Sequence, residues 1–537
     1  MKRRVTYIQR PDAPFAPDQV TLSSKTVTIR GLDAAREDRI TFDLNDLPEE
    51  LRAVCHRSQE LHLRWATERS FDAVEPFASR VPPGLHVHYT PLATDQSSVA
   101  LCSVLRTVFG VNEGDQYGVD CTSPEDSFIA PPLRATEFGT ATSLQYHTKL
   151  PSLKSLVKFL KDTTCAGAVE CLYRVDSLLA ADLVDLDFDT ASNTLILSGV
   201  WNSAPNGGWV EDIHQPSSDA DQVEFGLLGA EKGIDADEIK MGGLLAVVGE
   251  DKTLKTVQLT FDEEPTMFSF PSRHHALPKS ASYAVSFAEP TGLHPTMSIS
   301  IPRSSLGLPP APDDTTCALY TYLALPSSVF GDQYQLGTTD SLFLQSHNLA
   351  GLRTHAGETD LEAPDWVIKG WGSTWLFELA TPIDQDPNDA TQSPNWTATI
   401  PLHLRYLPPS ESGYQTAHVP WPVVFWACSA EDEEATMGIN PFDRKHLGYD
   451  SLFAPRTLFY QFHPQSNRLT EELDVPVLRL KEGTGLFQSR NIELTTCVVI
   501  SLGFLWVVWR LVRVAWSSGL SSNGGLEQPD DEHDKKE

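Results

Sequence analysis

The chain has 537 residues, 41% of them hydrophobic, with 41 Lys and Arg against 72 Asp and Glu, a formal net charge of −31. So acidic a chain is not built to neutralise nucleic-acid phosphates, which requires a positive surface. Its 12 Trp and its apolar content exclude disorder throughout and suffice for buried cores in several domains.

In chain order, residues 1–265 read as a β-rich N-terminal region with a few helices. Pro48–Leu63 spaces Leu51, Val54 and Leu61 along one helical face. Ser152 is placed to cap a helix carrying the stripe Leu153, Leu156, Val157 and Leu160. Packing on a sheet accounts for both. Thr194–Val200 reads as a strand, and Val257, Leu259 and Phe261 alternate with Thr256, Gln258 and Thr260 as a half-buried strand does. The polar, Pro-rich stretch Glu263–Ser280 is the expected boundary between domains.

Residues 281–480 are more regular. Met297, Ile299 and Ile301 alternate with Ser298 and Ser300, and Ile400, Leu402, Leu404 and Tyr406 with Pro401, His403 and Arg405. Pro422–Cys428 is a continuous apolar run typical of a buried strand, and Val475 and Val477 close the series. The fold class is therefore mainly β, with sandwich-like antiparallel domains. Trp366–Trp371 and Val419–Trp426 hold aromatic residues whose ordinary place is the core, with anchoring of a partner as the rival role.

Leu494–Trp516 is the expected transmembrane helix, uncharged as far as Trp509. Crossing a hydrocarbon layer of ~30 Å takes roughly 20 helical residues. The segment reaches that length with Arg510 and Arg513 snorkelling at one interface, beside a belt of Trp506, Trp509 and Trp516. Gly503 offers a small surface to a neighbouring helix. Residues 517–537 read as a disordered tail. The start, MKRRVTYIQRPDAPFAP, shows no apolar signal region, which alone favours a tail anchor with the bulk in the cytosol, and flanking charge does not settle the orientation.

No nucleophile elbow, P-loop, zinc-protease or dinucleotide motif stands in a fitting context, and no catalytic residue, metal or cofactor is assigned. Leu183–Asp189 contains two overlapping Asp-x-Asp triplets, Asp185/Asp187 and Asp187/Asp189. Carboxylates two apart share one face of a strand, where they can hold a divalent cation against a sugar-nucleotide diphosphate. The plainer expectation in so acidic a chain is an amphipathic strand with Leu183, Leu186 and Phe188 inward and the aspartates in water. His274 and His275 are adjacent and lack a third ligand, and His294, His403, His418 and His446 are paired by spacing with no nucleophile. Of eight Cys, Cys497 lies in the apolar segment, and no C-x-x-C occurs. Cys165 and Cys171 are close enough to bridge, but the sequence leaves the pairing open. Asn395-Trp396-Thr397 is the single N-glycosylation triplet.

Six stretches then carry a resemblance: Glu289–Pro302 (EPTGLHPTMSISIP), Cys317–Leu336, Glu358–Ser373, Ile400–Pro409, Val419–Cys428 and Asn440–Phe453 (NPFDRKHLGYDSLF). With the helix that follows, Tyr283 to about Leu480 resembles the PIG-X/PBN family of endoplasmic-reticulum proteins. The N-terminal part, with RVPPGLHVHYTP at Arg80–Pro91, is similar to the fungal PBN-type branch. The resemblance implies a lumenal glycoprotein with one C-terminal span, a cytoplasmic C-terminus and a glycan on Asn395. It implies the role of non-catalytic partner to a multispanning PIG-M-type enzyme. That enzyme transfers the first mannose, from dolichol-phosphate-mannose, to the glycosylphosphatidylinositol (GPI) precursor. It further implies support for the folding of other proteins of that compartment. The rival reading is a metal-dependent glycosyltransferase using Asp185, Asp187 and Asp189.

Overall fold

Short segments of alternating apolar and polar residues, bounded by Pro and Gly, become strands, and the computed structural model is mainly β. It describes residues 1–10, 16–92, 99–111, 117–132, 143–165, 167–216, 218, 221–231, 235–249, 257–258, 266–289, 292–382, 393–430, 438, 440–480 and 489–520. Two compact units emerge: residues 1–407 with 416–475, and residues 408–415 with 476–537.

In the larger unit a ten-stranded sheet draws all its strands from the first 271 residues. Lys2–Gln9 lies inside it, parallel to Gln222–Glu231 and antiparallel to Ala34–Asp43. Beyond Ala34–Asp43 come Thr194–Trp201, Leu183–Asp189, Ser58–Ala66, Gly84–Pro91 and Leu144–Thr148. A four-stranded sheet (Trp209–His214, Thr26–Leu32, Val20–Leu22, Val257–Gln258) shares a core with it, joining Val5, Tyr7 and Phe225 to Val20, Ile29 and Ile213. A second core joins the helices Glu49–Cys55, Val99–Phe109 and Lys154–Thr163 to Leu61, Leu63, Val87, Phe188 and Leu197.

The C-terminal half builds a six-stranded sheet: His274–Ala276, Leu458–Gln461, Val423–Ala430, Thr315–Pro326, Gly372–Leu379 and Leu349–Gly357. A four-stranded sheet contains Thr296–Pro302, where Met297, Ile299 and Ile301 are fully buried between half-exposed neighbours. Val423–Ala430 is central in its sheet and needs apolar residues on both faces. Val423, Phe425 and Ala427 meet a core that also contains Ile8, Leu183, Leu228 and Met241 of the ten-stranded sheet. Phe442, Leu447 and Tyr449 fill the same core.

Several local expectations change. The helix after Pro48 ends at Cys55, and Leu61 sits in Ser58–Ala66, because strands on both sides of that segment outweigh its helical spacing. Leu153, not Ser152, occupies the N-cap of Lys154–Thr163 and makes no side-chain cap. The stretch expected as a linker carries two strands: Thr266–Pro271 edges the ten-stranded sheet and His274–Ala276 the six-stranded one. The final strand, Thr470–Pro476, takes in Val475 but not Val477. Leu259 and Phe261 lie outside the described residues.

In the smaller unit, Ser410 bridges to Arg479 and the helix Ser489–Leu520 follows. Within that helix Arg490–Trp516 spans 27 residues with mean hydropathy 1.9, long and apolar enough to cross a membrane. The helix runs on to Leu520, taking in the first four residues expected as tail, and residues 521–537 lie outside the described residues.

Candidate functional site

The strand Leu183–Asp189 pairs with Ser58–Ala66, which sets Arg64 opposite Asp185 and His62 opposite Asp187. Asp185 is 3% exposed. Arg444 donates from Nε to its Oδ2 and from Nη2 to its Oδ1, both at 2.7 Å. Arg64 donates from Nη1 to the same Oδ1 at 2.9 Å and from Nη2 to Asp187 Oδ1 at 2.8 Å. Its Nε donates to the Lys445 carbonyl at 2.6 Å. His62 Nδ1 adds a contact to Asp187 Oδ1 at 2.8 Å. Burial opposes ionisation of Asp187, yet the Arg64 guanidinium and His62 hold its carboxyl well below the usual range. The aspartates expected in water are therefore ion-paired, and Asp185 is sealed inside the protein. The Asp189 side chain is not described.

This network docks the segment 440–453. Asp450, itself buried, accepts from the backbone N–H groups of His446 and Leu447 at 3.0 and 2.8 Å. His446 adopts φ 58° and Gly448 φ 94°, and a Cβ on Gly448 would stand 2.5 Å from Tyr322 Oη, so only glycine fits there. Tyr449 donates from its hydroxyl to the Arg80 carbonyl at 2.8 Å and accepts from Gln461 Nε2 at 3.0 Å. The segment thus acts as a wedge between the two large sheets, fixed by buried ion pairs with both partners in place.

The other histidines divide differently. His274 stacks on Phe459 and His275 on Tyr460, and burial pushes His274 down to about 3, keeping it neutral. His294 and His403 meet Nδ1 to Nδ1 at 3.0 Å at the surface, while His418 Nε2 pairs with the Tyr117 hydroxyl at 2.6 Å. Of these six, His446 alone stacks on His62, at 4.0 Å between ring centroids, and so reaches the aspartate network.

A model of the PIG-X / PBN1 family matches residues 290–512. The Protein pbn1 of Aspergillus oryzae is 52% identical over 542 residues, covering 97% of each chain. This chain belongs to the PIG-X / PBN1 family. The Aspergillus fumigatus member is 50% identical over 100% of both chains, and that of Neurospora crassa 34% identical over 98% of this chain and 97% of its own. The likeness to these PIG-X / PBN1 proteins therefore includes the N-terminal half, which supplies Arg64, Asp185 and Asp187.

The remaining expected residues of this family member lie at its surface. Asn395 is exposed at the start of the edge strand Asn395–Pro401, while Trp396 turns inward at 3% exposure. Leu494, Gly503, Trp506, Trp509, Arg510, Arg513 and Trp516 are exposed along Ser489–Leu520, and a Cβ on Gly503 would meet nothing within 4 Å. Arg510 lies over Trp506 and Arg513 over Trp509. Cys102 bonds to Cys121, Cys165 to Cys171 and Cys317 to Cys428; Cys55 stays a buried thiol.

Arg405 was legible only as an outward strand residue, yet it is 2% exposed and Tyr406 is 63% exposed. Its guanidinium donates to the carbonyls of Ser327, Glu358, Asp360 and Ala363 and lies over Phe330. Those bonds fix the loop that presents exposed Leu361, Trp366 and Val367, with Asp365 N–H donating to the Tyr406 carbonyl at 3.1 Å. Of the two aromatic stretches, Val419–Trp426 is core, whereas Trp366 faces outward.

Proposed function

We propose that this PIG-X / PBN1 chain is the non-catalytic accessory subunit of the endoplasmic-reticulum mannosyltransferase that adds the first mannose to the GPI precursor. Its partner is the multispanning, PIG-M-type catalytic subunit. The observation that carries the non-catalytic reading is the capture of both Asp185 oxygens by Arg64 and Arg444, which takes Asp185 out of the Asp185/Asp187 pair as a ligand for a nucleotide-bound cation. Three disulfides support an oxidising compartment, hence a lumenal body made of residues 1–265 and 281–480, with the C-terminus cytoplasmic.

The mechanism is linkage. A subunit that binds only the folded catalytic chain stabilises it by about 2.7 kcal/mol at a hundredfold excess over Kd. Tethering by Ser489–Leu520 confines both proteins to one membrane and raises their effective concentration. The clamped surface around Trp366 supplies the kind of rigid aromatic anchor that dominates interfaces. Depletion of the chain lowers the steady amount of the catalytic subunit; an unchanged amount sinks the proposal. If many unrelated lumenal proteins fall with it, the role is the broader one of folding support. An endoglycosidase-sensitive glycan on Asn395 tests the orientation.

A further inference from the structure

The stacked pair beside Asp187 has chemistry that the ion network does not use. Asp187 Oδ1 accepts from His62 Nδ1 at 2.8 Å, a contact that in the neutral ring puts the proton on that nitrogen and the lone pair on Nε2. His62 is 8% exposed, and its Nε2 is buried without a hydrogen-bond partner among the described residues. A buried acceptor left so is costly unless something fills it. A carboxylate behind Nδ1 with a free Nε2 in front is the usual dress of a metal-bound imidazole.

Two further donors stand close to His62. His446 comes from the wedge, with its Nε2 3.9 Å from Glu60 Oε2. Glu60, on the same strand as His62, has the same side-chain parity, so both project to one face. Glu60, His62 and His446 each offer one ligand atom, all within 4.8 Å of one another. We propose that these three side chains form a site for a divalent transition-metal ion of the zinc class, with Asp187 as the positioning residue behind His62. Two imidazoles and a carboxylate are a donor set typical of zinc.

A metal lies in the plane of each imidazole that binds it, so two stacked rings cannot share one ion. Binding therefore requires the stack to open. His446, with a side chain 30% exposed, turns its ring out of the stack on loading, while His62 stays fixed by Asp187. A bound ion ties the strand Ser58–Ala66 to the wedge, and with it the N-terminal sheet to the C-terminal half.

The test uses the full-length chain in detergent, stripped with a chelator and then titrated with Zn²⁺. One equivalent per chain, measured by metal analysis after dialysis, and a raised melting temperature are expected. His446→Asn keeps a residue that tolerates the left-handed backbone but removes the ring, and Glu60→Gln removes the half-exposed carboxylate. Each should abolish the stoichiometric binding while leaving the metal-free melting temperature near that of the parent. His403→Gln, in the surface pair with His294, should leave binding intact. No stoichiometric uptake by the parent, uptake that survives both site variants, or uptake lost with His403→Gln overturns the assignment.

Discussion

Replacing Asp185 by Asn separates a structural carboxylate from a catalytic one. The substitution keeps the shape but takes the counter-charge from Arg444, whose side chain is 6% exposed, and from Arg64 at 2%. Arg64 retains Asp187 and the Lys445 carbonyl. Arg444 loses its bidentate acceptor, and its Nη1 is already buried without a partner among the described residues. Breaking one side of a buried ion pair costs about 3–5 kcal/mol, a large share of the roughly 5–15 kcal/mol that holds a typical domain. Denaturant unfolding of the full-length chain, followed by Trp fluorescence, should show that loss. The double variant Asp185→Leu with Arg444→Met, which removes both charges and leaves apolar groups, should recover most of it. A single variant within about 1 kcal/mol of the parent that nonetheless abolishes mannose transfer would refute this reasoning and restore the carboxylate to catalysis.

Three further outcomes are expected. Gly448→Ala forces a side chain onto φ 94° and against Tyr322 Oη, and should cost about 1–3 kcal/mol or more, seen as faster proteolysis near residue 448. Arg405→Met strips the donors from four carbonyls, so amide exchange across residues 358–367 should rise while the distant ten-stranded sheet keeps its protection. Burial pushes His147 down to about 4, whereas the unfolded chain takes up that proton near pH ~6.5. The folded state thus binds fewer protons, and stability present above pH ~6.5 declines as pH falls towards 4, by up to about 3 kcal/mol; His147→Gln should flatten that slope in unfolding midpoints.

What could be read from the sequence depended on how far away each deciding partner lay. The apolar helix needs only its own composition, and the alternation of Met297, Ile299 and Ile301 only its own strand. Cys165 and Cys171 are 6 apart and were visible as a candidate bridge, but Cys317 and Cys428 are 111 apart and meet only because their strands pair. Leu61 followed its strand neighbours instead of its helical spacing. The aspartates of Leu183–Asp189 carry no local mark of burial: Arg64 and Arg444, which neutralise Asp185, stand 121 and 259 residues away. Arg405 was hidden likewise, since its carbonyl acceptors come from loops at residues 327 and 358–363.

The position of Lys2–Gln9 inside the ten-stranded sheet carries a consequence for biogenesis. Its antiparallel neighbour, Ala34–Asp43, emerges almost at once, but its parallel neighbour ends at Glu231. At about 5–20 residues per second of synthesis, one flank of that strand stays bare for roughly ten to forty-five seconds. Over that interval the nascent polypeptide offers an open edge to whatever holds unfinished chains.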